Sequence, residues 1–408
     1  MVFIRQTRTR DAILEAVQPW SNVLSPYWRG SLYYAVFWAL VAVFAPFVNL
    51  HWLEIGVTSQ QLGWLSAVGP LMALLLAPVI SKLADLRSAH REFLAAALFG
   101  TGAAIFGLGF ARDFLGVLIG SVALGIAACA FGPLADGLIA RMASRRQLEF
   151  GRMRLWGSVS FAVLSLAFGW LWSNLGYGGM LFLTGALMML MTPLALLLEA
   201  DRSDLETPSE ARGLTRPPKI WNAGLYVLLS VNLLIGFALG FVGPFLGLRM
   251  KDLGGGALEV GALYAISALS EFPAMRFEKR IAARIGDAGV LIVSSAMFAF
   301  SYLGYALAPN AGTMLAFALV QGTAFGLFFV ASVRTIDAKA GALLGTMQSW
   351  RNALAFGIAP LIAGPVAGWV AQSSASAWVF MVASAFGLSA ALLIHLSKRT
   401  LEPAAATR

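Results

Sequence analysis

The amino-acid sequence predicts an all-α, polytopic membrane protein of twelve transmembrane helices arranged as two six-helix bundles. Three observations carry this expectation. Of the 408 residues, 59% are hydrophobic and only 12% are charged, against roughly 25% charged in a soluble domain; that is too little charge to cover a water-facing surface. Apolar runs of about 20 residues, long enough to cross a bilayer as helices, recur along the whole chain. One long polar stretch, Glu199 to Ile220, carries Asp201, Asp204, Glu206, Glu210 and two consecutive prolines and separates the runs into two sets. The 42 glycines and 16 prolines are compatible with such helices, because neighbouring spans re-satisfy the backbone groups they disturb.

Taken in order, the first set of spans is Ser31–Leu53, Leu62–Leu83, Phe93–Ala111, Phe114–Met142, Arg154–Leu175 and Gly178–Leu198. The second is Leu225–Leu248, Leu258–Met275, Val290–Leu307, Thr313–Thr335, Leu343–Val370 and Ala377–Leu396. Basic residues gather in the N-terminus (Arg5, Arg8, Arg10, Arg29), after the second span (Lys82, Arg87, Arg91) and after the fourth (Arg141, Arg145, Arg146, Arg152). They recur in the linker, after the eighth span (Arg276, Lys279, Arg280, Arg284) and in the tail (Lys398, Arg399, Arg408). Threaded through twelve spans, all 29 Lys and Arg except Arg112, Arg249, Lys251 and the intramembrane Arg351 fall on one side. That bias predicts cytoplasmic termini and linker in a multi-pass inner or plasma membrane protein. The expected organisation is a cytoplasmic N-terminal segment (1–30), a first bundle (31–198), a cytoplasmic linker (199–224), a second bundle (225–396) and a cytoplasmic tail (397–408).

The net charge of +9 and pI near 10 therefore report topology, and no nucleic-acid partner is expected. Cys129 is the only cysteine, which excludes intramolecular disulfides and cysteine-rich metal sites. His51, His90 and His395 lie far apart, without the paired spacing of a helical metal site. There is no Walker-type phosphate loop, no nucleophile elbow and no Cys–His pair. No metal, no cofactor and no enzymatic activity is expected, and no cleaved signal peptide is read at the N-terminus. The expected partners are a small-molecule solute, protons and the lipid bilayer, for a monomer.

Ionisable residues inside spans are costly and are functional candidates by default. Four stand out: Asp136, Arg154, Glu271 and Arg351. Asp136 and Arg154 lie within about 10 Å of the same membrane surface, counting 1.5 Å per residue, and can meet across the hairpin of spans four and five. The pair reads either as a substrate or proton site at the inner end of a cavity, or as an interfacial ion pair. Glu271 stands two residues before Pro273, which removes a backbone donor and disturbs the helix. It reads as a proton-exchanging carboxyl or as a partner of Arg276 or Arg351. Arg351, deep in span eleven, needs a counter-charge or a wet cavity, for which Glu271 and an anionic substrate are the candidates. Tyr33, Tyr34, Trp38, Trp156, Asn232, Gln321, Gln348 and Asn352 are uncharged candidates to line a cavity; interface anchoring and helix packing are the competing explanations.

Two halves of six spans with a central polar linker resemble the major facilitator superfamily of secondary transporters. Its loop after the second span, a Gly followed by an Asp and basic residues, is partly matched by Ser81-Lys82-Leu83-Ala84-Asp85-Leu86-Arg87 with His90 and Arg91, which assigns a gating loop to Asp85, Arg87 and Arg91. Arg276 to Gly286 is the degenerate equivalent in the second half. The stretch from Asp136 to Ser158, DGLIARMASRRQLEFGRMRLWGS, is similar to the span-four to span-five hairpin of the lactose permease and phenylpropionate permease branch. The resemblance implies substrate contact by Asp136 and Arg154, with Trp156 nearby.

Departures from that branch narrow the mechanism. The run from Leu319 to Phe325 has no titratable group where lactose permease couples protons, and Val231 to Ile235 is neutral. Proton coupling must then use Glu271 or Asp136. Gly157 to Trp172 lacks proline, unlike the fifth span of drug-efflux branches, which favours uptake. The expected function is proton-coupled uptake of a small organic solute (sugar, aromatic or other organic acid, or nucleoside) by alternating access, with Asp136, Arg154, Trp156, Arg351, Tyr34, Trp38, Asn232 and Gln321 binding solute. The alternatives are an efflux antiporter or uniporter of the same fold and, from another class, a membrane enzyme or transport-like sensor.

Overall fold

Apolar composition without period-2 alternation leaves helices as the way to satisfy the backbone, and among the described residues every regular element is helical. The computed structural model describes residues 24–199 and 223–401. Arg5, Arg8, Arg10, Arg408 and most of the expected linker lie outside the described residues. The helices, named in chain order, are α1 (Pro26–Glu54), α2 (Ser59–Arg87), α3 (His90–Leu108), α4 (Phe114–Arg145), α5 (Phe150–Leu175), α6 (Met180–Leu196) and α7 (Ala223–Asp252). Ala257–Leu307 is two helices meeting at Gly286, whose φ of 76° no helical residue adopts; its parts are α8 (257–285) and α9 (287–307). α10 (Ala311–Ala340), α11 (Leu344–Ser373) and α12 (Ala377–Leu396) follow. Ten stretches, Ala257–Leu307 counted once, are long and apolar enough to cross a membrane; with that stretch divided at Gly286 and the shorter apolar α6 added, they correspond to the twelve expected spans. The chain is a multi-pass membrane protein.

At the sparsely charged end, four of the even-numbered helices (α2, α4, α8 and α10) begin with caps that their sequences supply. Thr58 and Gln61 form a capping box on α2, the Asp113 carboxylate accepts from Gly116 N, Glu259 reaches back to Gly256 N, and Asn310 accepts from Thr313 N. Arg249, one of the few cations at this end, donates to the carbonyls of Tyr305, Ala306 and Ala308 and closes the end of α9.

Within each half the helices pack against their own set. The halves meet along two seams of small residues near the sparsely charged end. α2 crosses α11 where a methyl group on Gly63 would stand 2.8 Å from Gly368 Cα. α5 crosses α8 where a methyl on Gly169 would stand 2.8 Å from Ala257 O and one on Gly261 would stand 3.1 Å from Gly169 Cα. Only glycine lets these backbones touch, the device by which membrane helices pack without a hydrophobic driving force. Asn49 Nδ2 donates to Pro244 O at 3.0 Å and ties α1 to α7 at the same end.

Two helices are broken where the site lies. α4 loses its helical register at Cys129–Ala130 and resumes at Phe131, and α11 passes through a π-helical turn at Ala353–Ile358. Such turns free backbone groups inside a span and recur at functional positions.

Candidate functional site

Tyr34 of α1, Asp136 of α4 and Arg154 of α5 converge at the basic end of the first bundle. The Tyr34 hydroxyl donates to Asp136 Oδ1 at 2.5 Å, and Arg154 Nη1 donates to Oδ2 at 3.5 Å. Each carboxylate oxygen is thus held from a different helix. The Asp136 and Arg154 side chains are 44% and 49% exposed, so the pair is open on one side even though its helices are apolar. An ion pair that open contributes about 0 to 1 kcal/mol to stability, which is too little to explain placing two charges in apolar helices. Tyr34 is buried and packs edge-on against Phe150 at 6.0 Å, which fixes the ring that aims the hydroxyl.

Trp38 lies one turn along α1. Its ring rests edge-on against Phe161 at 6.0 Å and over Gly157, where a Cβ would come within 3.1 Å of the indole. Trp156 points elsewhere. Residues 154 and 156 stand about 200° apart around a helix, and Trp156 Nε1 donates to the Tyr27 hydroxyl at 3.2 Å with its ring 5.6 Å from Trp28. Arg154 and Trp156 therefore face different neighbours, α4 and the start of α1.

In the second bundle, Arg351 is 5% exposed. It donates to Gln348 Oε1 at 3.0 Å and Asn352 Oδ1 at 2.8 Å, and its guanidinium lies 4.9 Å from the Phe329 ring centre. Gln348 in turn donates to Asp337 Oδ1 at 2.6 Å. The counter-charge reaching Arg351 through Gln348 is Asp337, not Glu271. Asp337 lies beyond the expected end of span ten at Thr335, because α10 runs a turn further.

Glu271 is half-buried on α8 and makes no hydrogen bond or ion pair among the described residues; neither Arg276 nor Arg351 reaches it. Its backbone is pressed against α10, with Glu271 Cα 3.2 Å from where a Cβ on Gly326 would stand. Asn232 and Gln321 link helices. Asn232 is 1% exposed, donates to Leu228 O and accepts from Ser332 of α10 at 2.9 Å. Gln321 accepts from Ser267 of α8 at 2.6 Å.

The loop residues are tied within the first bundle: Asp85, 68% exposed, meets His90 at 2.7 Å, Arg91 reaches the carbonyls of Leu196 and Leu198, and Arg87 is exposed. The corresponding place in the second half holds a cluster that sequence reading left among loop charges. Glu278, its side chain fully buried, takes Arg334 Nη1 on Oε2 at 2.9 Å and lies 2.8 Å from Nη2 through Oε1, while Arg334 also meets Asp287. Glu278 recurs with Glu271 at seven residues, a period that could have marked it as inward-facing.

Toward the sparsely charged end is a cavity of about 550 Å³ between α1, α2, α4, α7 and α11. None of the residues nominated from the sequence lines it.

Two helical bundles with intramembrane charges and a cavity between them define a membrane transporter of the major facilitator type. The chain belongs to the MFS_1 like family, whose model matches residues 27–382. It is 28% identical over 305 residues to the maltose permease of Geobacillus stearothermophilus, covering 72% of this chain and 74% of that one. It is 26% identical over 364 residues to the probable 3-phenylpropionic acid transporter of Escherichia coli (strain K12), covering 85% and 92%. Among solved structures, the nucleoside transporter NupG superposes with a TM-score of 0.78 at 13% identity, covering 92% of this chain and 100% of that one. The protein is a transporter and not an enzyme.

Proposed function

We propose that this transporter takes up a small organic solute together with protons, with Asp136, Tyr34 and Arg154 anchoring the solute and Glu271 carrying the proton. One observation bears most of the weight: both oxygens of Asp136 are held from two other helices at an open position inside an apolar bundle. A structural pair of such low worth is an expensive choice there, whereas a solute-binding pair has reason to stand open. The relatives' names, which cover a sugar, an aromatic acid and a nucleoside, bound the solute to molecules of that size. In this reading Trp38 backs the anchor, Arg351 presents a second cationic pole from α11, and Trp156, Asn232 and Gln321 hold helices in register around them.

The basic end is assigned to the cytoplasm on the charge bias, so the seams of glycine close the outer end and the pair opens inward. The α2–α3 connection with Asp85, Arg87 and Arg91 then closes the inner end in the opposite state. Glu271 suits the proton because it lies inside a span without a cationic partner and beside the α8–α10 contact. In reconstituted vesicles Glu271→Gln is expected to keep solute counterflow and to lose accumulation driven by a pH gradient. Accumulation that survives this change removes Glu271 from the coupling step.

A further inference from the structure

On α4, Ser121 and Gly125 share one side before the break at Cys129–Ala130, and Gly132 and Asp136 share one side after it. Space is open beside Gly132, where a Cβ would meet nothing within 4 Å, whereas at Gly125 a Cβ would stand 2.9 Å from Met72 Cγ of α2. Ser121 and Gly125 line the cavity of about 550 Å³, as does Ala128, eight residues or about 12 Å before Asp136.

The chemistry of that cavity differs from that of the pair. No lining residue is charged, and the walls are formed largely by groups such as Phe44, Val48, Leu239 and Phe356. Its polar side chains are partly spent, since Asn49 donates to Pro244 O at 3.0 Å and Ser66 donates to Gly63 O at 2.7 Å. A polyol entering it would exchange water for hydrocarbon at most of its hydroxyls, and each buried hydroxyl left unpaired costs roughly tenfold in affinity. The volume is that of an ordinary small-molecule site. At the other end, Arg154 makes one polar contact among the described residues, through Nη1 at 3.5 Å, while a guanidinium carries five N–H donors.

We propose that this chamber receives the uncharged hydrocarbon or aromatic body of a solute whose carboxylate is held by Arg154, so that the transported class is an amphipathic monocarboxylate rather than a polyol. The inference rests on the reading of Asp136 and Arg154 as the solute anchor. The separation of about 12 Å further implies that longer bodies reach deeper into the chamber.

The test measures binding of ω-phenylalkanoates of increasing chain length, with gluconate as the polyol acid, to the purified full-length protein. Affinity is expected to rise about fourfold per methylene, the equivalent of about 0.8 kcal/mol per buried CH₂, until the chamber is filled. Gly69→Leu places a side chain where no atom lies within 4 Å of the Cβ position. It should weaken the longest members at least tenfold and leave the shortest unchanged; Ser121→Leu is a second variant with the same expectation. Gluconate binding as tightly as the phenylalkanoates, absence of chain-length dependence, no binding of any member at millimolar concentration, or indifference to both variants overturns the chamber. Arg154→Gln separates the two ideas: if it weakens every member while chain length has no effect, the anchor stands and the chamber falls. If it changes nothing, the anchor itself is refuted.

Discussion

Gly63 is the position where a single methyl group tests alternating access. A Cβ there would stand 2.8 Å from Gly368 Cα and 3.1 Å from Gly368 N, whereas ordinary contact begins at 3.4 Å. The obstructing atoms are backbone, with Gly364 O nearer still, so relief requires α2 and α11 to part by more than the roughly 0.6 Å that the Gly368 contact alone demands, and further for a branched side chain. Overpacking of this kind costs typically about 1 to 3 kcal/mol, and it falls only on the state in which the seam is shut. Gly63→Val should therefore shift the balance roughly 5- to 150-fold toward the state open at the sparsely charged end. The assay is labelling of Ser121→Cys, a cavity-lining position, in a Cys129→Ser background with an impermeant maleimide applied from either side. The parent should label from the basic side, and Gly63→Val should label from the opposite side at least several-fold faster than the parent does. Gly107→Ala is the control, because its Cβ would meet nothing within 4 Å. If folded Gly63→Val labels as the parent does from both sides, the seam does not set the conformational balance.

Three further outcomes are expected. Tyr34→Phe removes the hydroxyl that donates to Asp136, a hydrogen bond to a charged group worth about 1.5 to 3 kcal/mol; solute affinity measured by isothermal titration should fall at least tenfold with the fold intact. Arg334→Met leaves the fully buried Glu278 without its partner, at a cost of about 3 kcal/mol or more; thermal unfolding in detergent should drop by several degrees, and Arg334→Met with Glu278→Gln should recover part of the loss. A reporter fused within the Glu199–Ile220 linker should read cytoplasm, and an external signal would reverse the assignment of both faces.

What the sequence discloses follows the range of each interaction. Spans and seams of charge are local, so hydropathy and basic clusters located all twelve helices, including the short α6. Asp136 and Arg154 are 18 residues apart on one hairpin, close enough for spacing alone to pair them. Tyr34, 102 residues from Asp136, could be nominated as a cavity residue but not as the donor to that carboxylate. Asp337 fell outside the drawn span, which left Arg351 without its relay, and Glu278 was hidden among Arg276, Lys279 and Arg280 because a buried acid with a distant partner looks like one more loop charge. The seams were illegible for another reason: with 42 glycines in the chain, only their pairing in space shows which ones close the sparsely charged end.

The decisive measurement is uptake into proteoliposomes, across a panel of sugars, aromatic acids and nucleosides, by the parent and by Asp136→Asn and Arg154→Lys. The parent should accumulate at least one solute under an inward-directed proton gradient, and both conservative variants should lose that accumulation while remaining folded in the membrane. Uptake by the variants at the parent's rate would contradict the assignment of the Asp136–Arg154 pair as the solute anchor.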